Sequence, residues 1–176
     1  FGVERVVFVG DKGMIKQQQI EAITSEEFVW NYITSISKTQ IEGLLKQNVI
    51  QLNMFDKDLL EVQDEGIRYI LRQNPLRVEE MAMNRATKIK TIAEKISQRN
   101  DYLSQHPRAK ISAALDQVSK YIKKLKIGKF VSCEVIENKL TLKPSSDEEV
   151  HNLTKLDGCY VIKTDIPEEI ADMEVV

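Results

Sequence analysis

The chain is expected to be an α/β protein, and three features of its sequence point there. Glu4-Arg5-Val6-Val7-Phe8-Val9-Gly10 is a short β-branched and aromatic run ending on glycine, followed at once by Asp11-Lys12-Gly13 and a helical stretch from Met14 to Ile23. Between Leu76 and Leu125 apolar residues recur at spacings of three and four, the period of amphipathic helices. After Gly128 the chain returns to short strand-like runs separated by turn residues.

Each segment can be justified in order. The run ending at Gly10 has the composition of a buried, parallel strand. Asp11 therefore falls just beyond a strand's carboxyl end, where open α/β sheets gather their functional groups. Phe28 to Ile36 has strand propensity, and Ser37 is a good N-cap for a helix from Lys38 to about Lys46. Val49–Leu52, Leu59–Val62 and Ile67–Leu71 are strand-like, with Asp64-Glu65-Gly66 as a hairpin turn between the last two. Asn74-Pro75 closes this part.

Val78, Met81, Ala82, Ile89, Ile92, Ala93 and Ile96 then mark one face of a long helix, broken at Ser104-Gln105-His106-Pro107. Ile111, Ala114, Leu115, Val118, Ile122 and Leu125 form the stripe of a second helix, and the two make an αα-hairpin. Phe130–Ile136 and Lys139–Leu142 flank Glu137-Asn138 as a strand hairpin. Ser145-Ser146 followed by Asp147-Glu148-Glu149 starts an N-capped helix with acids in its first turn. Asp157-Gly158 turns the chain into a last strand, Cys159–Thr164.

Composition narrows the class. High charge with few glycines and prolines describes a helix-rich globular chain rather than a disordered or collagenous one. The longest apolar run, Val6–Val9, falls far short of the roughly 18 residues of a membrane helix. Cys133 and Cys159 form no CxxC, and cytoplasmic thiols are the expected reading. The net charge of −2 conceals a sign block: residues 77–130 carry 13 Lys/Arg against 5 Asp/Glu, between flanks that are both acidic. Such a block suits a polyanion, because each cation that meets a phosphate releases a condensed counterion. The competing reading is a solvated helix surface neutralised by those acidic flanks.

Asp11 carries the sharpest chemical expectation. A carboxylate at a strand's end suits a hard divalent cation, while the competing reading makes it a cap for the next helix or a turn brace. Gly13 is expected to allow close backbone approach or a positive φ, and Lys12 to be solvated. His106, before a proline, and His151, among acids, are expected at the surface. Cys133 and Cys159 are expected in strands, Trp30 in a core, and Asp157 and Asp165 in turns.

Val6-Val7-Phe8-Val9-Gly10-Asp11-Lys12-Gly13-Met14 resembles the block around the second catalytic aspartate of bacterial insertion-sequence transposases of the DDE type. Leu156-Asp157-Gly158-Cys159-Tyr160-Val161-Ile162-Lys163-Thr164-Asp165 resembles the stretch that precedes the catalytic glutamate helix in that family. Tyr32-Ile33-Thr34 and Gln73-Asn74-Pro75-Leu76 look like the branch with a long insertion between the second Asp and the Glu.

The resemblance implies an RNase H-like core and metal-dependent cleavage and strand transfer of DNA. Three carboxylates would hold Mg²⁺ or Mn²⁺, and Asp11 is the one that maps here, as both catalytic residue and metal ligand. The partner would be DNA at the transposon ends, in the bacterial cytoplasm, with room for a homodimer of the intact parent. Phe1 at the start, and an Ile170–Val176 segment that reads as a helix beginning, fit an internal fragment. Such a fragment is expected to be inactive alone and to bind metal weakly.

The expected architecture is thus the edge of an RNase H-like core, strand-Asp-helix, plus an inserted α+β lobe with a basic helical hairpin. Residues 1–36 belong to the core and 157–176 return to it. The lobe spans 37–156, with strands in 49–72, the helical hairpin at 77–126 and the strand hairpin at 130–142. Lys110, Lys120, Lys123, Lys124 and Lys126 are the expected contacts to the phosphate backbone. The alternative is a non-catalytic nucleic-acid-binding or protein-interaction module in which Asp11 is structural.

Overall fold

Two apolar patterns build two separate cores. The computed structural model describes residues 6–25 and 30–176 and divides into one unit of Phe1–Pro75 with Gly158–Val176 and a second of Leu76–Asp157. The first contains β1 (Val7–Gly10), α1 (Gln17–Ile23), β2 (Asn31–Ser35), α2 (Lys38–Lys46), a 3₁₀ turn at Leu52–Asp56, β3 (Leu60–Asp64) and β4 (Ile67–Gln73). The chain then runs through α3 (Pro75–Gln105), α4 (Ile111–Lys124), β5 (Val131–Ile136), β6 (Lys139–Pro144) and α5 (Asp147–Thr154) before β7 (Cys159–Thr164). Residues 1–5 and 26–29, including Glu4, Phe28 and Val29 of the expected strands, lie outside the described residues.

The protein is mixed α/β. Its five-stranded sheet has the order β1-β2-β7-β4-β3; β1 and β2 run parallel and the other pairs antiparallel. Alternation sorts the side chains as expected for a pleated strand: Tyr32, Thr34 and Ile36 are buried on β2 and its exit. The Tyr32 hydroxyl is buried without a hydrogen-bond partner among the described residues, and no interaction there accounts for it. Ser37 and Gln40 form a reciprocal capping box that starts α2: Ser37 Oγ accepts the Gln40 N–H (3.3 Å), and Gln40 Oε1 accepts the Ser37 N–H (2.9 Å). α2 buries Ile41 and Leu44.

Two elements differ from expectation. Val49–Leu52 is not a strand: Asn48 takes a left-handed turn (φ 57°), Ile50 is buried singly, and the 3₁₀ turn follows with Phe55 inward. The expected helix at Ile170–Val176 is instead a set of turns, the last braced by Asp172 Oδ1, which accepts the Glu174 and Val175 N–H groups (3.0 Å each).

The expected boundary after Ile36 falls inside the first unit. β4 pairs with β7 from Arg68↔Thr164 to Gln73↔Cys159 and β3 pairs with β4, so backbone hydrogen bonding holds β3 and β4 in the sheet, and α2 belongs to the same unit. The chain leaves and rejoins this sheet at adjacent points, where the Asn74 N–H donates to the Gly158 carbonyl (2.9 Å). Gly158 has φ +69°, a conformation that glycine adopts without penalty.

The second unit has its own core: Ile92 and Ile96 from α3, Ala114, Val118 and Ile122 from α4, then Ile127, Val131 and Leu140. Asn100 on α3 fastens the edge of β6 to this core. Its Nδ2 donates to the Leu140 carbonyl and its Oδ1 accepts the Leu140 N–H, both at 2.9 Å. The β5–β6 turn places Glu137 and Asn138 at φ 50° and 59°, the pairing that two-residue hairpins of this twist require. Asp157 is buried and ion-paired with Arg85, whose guanidinium also lies over the Phe130 ring (5.4 Å).

In the sheet unit Arg68 is 3% exposed. Nε and Nη2 grip both oxygens of Glu61 (2.6 and 2.7 Å), and Nη1 donates to the carbonyls of Ile166 and Ala171 (2.7 Å each). One side chain thus joins β4, β3 and the segment after β7. Arg68→Met removes four charge-assisted bonds and strands the Glu61 carboxylate, so urea unfolding should show a loss of about 3–5 kcal/mol. Arg68→Lys should recover little of it, since an ammonium cannot reproduce the fork.

Candidate functional site

Asp11 lies exposed at the carboxyl end of β1, which ends where expected but is an edge strand with Val7, Phe8 and Val9 exposed, not the buried strand its composition suggested. Its Oδ1 accepts the N–H groups of Gly13 (2.8 Å) and Met14 (3.0 Å), and its carbonyl accepts those of Met14 (3.0 Å) and Ile15 (3.1 Å). These bonds close a turn, and α1 starts later than expected, at Gln17, where Gln19 Oε1 accepts the Lys16 N–H (3.1 Å). The turn-bracing role weighed for Asp11 is therefore present. Oδ2 has no hydrogen-bond partner among the described residues and remains available to solvent or a cation.

Gly13 serves close approach: a Cβ there would lie 3.2 Å from Asp11 Oδ1 and press on the carboxylate. Gly10 has a similar reason, since its Cβ would meet the Ile15 side chain at 2.9 Å. The Lys12 N–H donates to Ser35 Oγ (3.2 Å), tying the end of β1 to the end of the parallel strand β2. Among the described residues no group of three or more His, Cys, Asp or Glu is placed to hold a metal ion.

The lysines lie in the other unit. Lys120, Lys123 and Lys124 project from the face of α4 opposite the buried Ala114-Val118-Ile122 stripe, and all are exposed. Lys126 follows in the left-handed conformation (φ 55°) that ends the helix: its N–H donates to the Lys123 carbonyl (3.0 Å), and the Ile127 N–H to the Ile122 carbonyl (3.3 Å). This Schellman closure usually takes glycine at the position Lys126 occupies. Lys110 stands at the opposite end of α4, roughly 20 Å away at 1.5 Å per residue, so it does not join the others. Among the described residues none of these five lysines is ion-paired with a carboxylate.

His106 is exposed and stacks on Tyr102 (4.0 Å between ring centroids), and His151 is exposed on α5. Cys133 and Cys159 lie in β5 and β7, half-buried, and burial pushes the Cys133 thiol up. Trp30 is half-buried against Phe8. Asp165 does more than serve a turn, since its Oδ1 accepts the Tyr32 N–H (2.9 Å) at the start of β2.

A cleft beside the Asp11 turn escaped the sequence reading; Lys12 lines it and is exposed, as expected. The signal for it was a lysine, Lys163, inside an otherwise apolar strand. No protein-family model, curated protein or solved structure matches the chain.

The Asp11 turn gives a direct test. Asp11→Asn keeps an Oδ1 acceptor for both amides and should leave stability nearly unchanged, whereas Asp11→Ala should cost about 1 kcal/mol. Thermal unfolding of the two variants measures the difference.

Proposed function

We propose that the chain is the part of an insertion-sequence DDE transposase that carries the second catalytic aspartate, Asp11, and the insertion following it. On this reading β1, Asp11 and α1 belong to the edge of an RNase H-like core, and the lysines of α4 meet DNA phosphates. The observation that carries it is topological. The two stretches that resemble the family, around Asp11 and around Leu156–Asp165, end on β1 and β7, strands on either side of β2 in one sheet. The segment between β4 and β7 forms a unit of its own, as an insertion would.

Asp11 fits a hard cation. Its Oδ1 is held by two amides, which fixes the carboxylate, and Oδ2 offers the oxygen donor that Mg²⁺ or Mn²⁺ prefers. Bound there together with two further carboxylates, the metal ions would activate an attacking hydroxyl and stabilise the leaving oxygen. This chain's own contribution is to hold one ligand at the end of a strand and to supply cations along the helical hairpin.

A second reading keeps the protein as a non-catalytic nucleic-acid-binding or protein-interaction module. The two turn hydrogen bonds at Asp11 Oδ1 favour it, because they explain the aspartate without a metal.

Both readings are testable. The chain should bind duplex DNA weakly, with affinity lost between low and physiological salt. Replacing Lys120, Lys123 and Lys124 together by Gln should reduce the slope of log K against log salt by about 0.9 per phosphate contact removed. A fluorescence titration with no low-salt affinity, or an unchanged slope in the triple variant, returns the lysines to an ordinary solvated face. In the intact protein, Asp11→Asn should abolish metal-dependent cleavage of labelled DNA while folding and DNA binding persist; retained cleavage would overturn the metal role of Asp11, and an intact unsubstituted protein without cleavage would favour the module.

A further inference from the structure

β1 and β2 run parallel, so their carboxyl ends open on the same side of the sheet, and the chain leaves them through Lys12 and Ser35–Ser37. A cleft of about 270 Å³ lies there, and Lys12, Lys16, Lys163, Thr34, Ser35 and Ser37 are among its lining residues. Three lysines and three hydroxyl-bearing residues line this cleft, and among the described residues no Asp or Glu does.

Lys163 is the informative member. It stands opposite Thr34 across the β2–β7 ladder, half-buried, with Nζ 5.8 Å from the centre of the Tyr32 ring. Burial pushes its ammonium down, and Asp165 only partly offsets this. Asp165 is itself engaged with the Tyr32 N–H, and among the described residues Lys163 has no ion-pair partner. A half-buried, unpaired cation facing a concave surface with two further lysines favours an anion there. Ser37 caps α2, a nine-residue helix whose amino end adds positive potential on the same side.

The mixture of donors selects among anions. The lysines come from the β1–α1 connection and from β7, and Ser35 adds a hydroxyl that accepts the Lys12 N–H and keeps its own proton to donate. The Ser37 and Thr34 hydroxyls instead donate to Gln40 Oε1 and the Ser35 carbonyl. Cations on different segments suit a tetrahedral oxyanion better than a planar carboxylate. The volume far exceeds the ~30 Å³ share of one water molecule, leaving space for an ester substituent. We infer that this cleft binds the phosphate group of a phosphate ester. The inference does not depend on the transposase reading, because a free mononucleotide and the terminal phosphate of a nucleic-acid strand present the same group.

Amide chemical shifts of the whole chain test it, titrated with inorganic phosphate, a 5′-mononucleotide and a short 5′-phosphorylated single strand. The unphosphorylated nucleoside and strand, and chloride at equal ionic strength, are the controls. The amides of Lys12, Ser35, Ser37 and Lys163 should move with the three phosphate probes and not with the controls. The tighter of the two esters identifies the source. Lys12→Gln and Lys163→Met should each weaken binding about tenfold, Lys163→Arg should retain it, and Lys123→Gln on the distant helix should leave it unchanged. The spectra themselves report whether each variant is folded. Unmoved cleft amides with all three phosphate probes, or unchanged affinity in both Lys12→Gln and a folded Lys163→Met, would overturn the assignment.

Discussion

The first unit depends on the burial of one guanidinium. Arg68 can sit at 3% exposure in the sheet because four of its hydrogen bonds are satisfied at once, two by Glu61 on β3 and two by carbonyls after β7. A buried charge with fewer partners would cost several kcal/mol. The segment from Ile166 to Ala171 is therefore held by the sheet rather than left to its own turns. Ile166 N–H donates to Thr164 Oγ1 (3.1 Å), and that hydroxyl donates to the Tyr32 carbonyl (2.6 Å), so the same corner also fixes β7 against β2. Register on one side of the sheet and the path of the chain beyond it follow from the same few polar contacts.

That arrangement tolerates a long excursion between β4 and β7. The two strands pair over six residue positions, down to Gln73↔Cys159, and the chain between them closes its own hydrophobic core. An antiparallel pair needs only a short connection, so the intervening unit is not required for the strands to meet. What it requires is a clean exit and return, supplied by Asn74-Pro75 and by Gly158 in its left-handed conformation. Inside the second unit Asn100 plays the part that Arg68 plays in the first: it satisfies both backbone groups of one residue on an exposed strand edge.

The local elements were legible from the residues because their signals are local. Ser37 with Gln40, Ser146 with Glu149, and the α3 and α4 stripes announce helices by spacing alone, and Glu137-Asn138 announces its turn. The order of strands was not legible, because pairing β4 with β7 depends on contacts 86 to 96 positions apart in the chain, which no periodicity encodes. This is why a boundary was expected after Ile36 although the sheet continues through Gln73. Arg68 and Asp157 were missed for the same reason: a buried charge is recognisable only when its partner is known. At the candidate site, the position of Asp11 beyond its strand was readable, but the use of its carboxylate in the turn depended on backbone geometry. The grouping of Lys12 and Lys16 with Lys163 needed the sheet.

The lysines of α4 show how far helix physics alone accounts for a basic cluster. Lys123 and Lys124 occupy the last turn, where the negative end of the helix dipole favours cations by roughly 0.3–1 kcal/mol each. Lys120 sits nearly a turn earlier, beyond most of that attraction, and Asp116 four residues before it forms no ion pair among the described residues. Lys126 shares the dipole's field but holds φ 55°, where a non-glycine residue costs about 1 kcal/mol. Stability alone therefore explains two of the four positions, and at Lys126 it would select glycine. Lys126 shares this left-handed conformation with other non-glycine residues, among them Asn48 and Glu65, so the backbone alone does not set it apart.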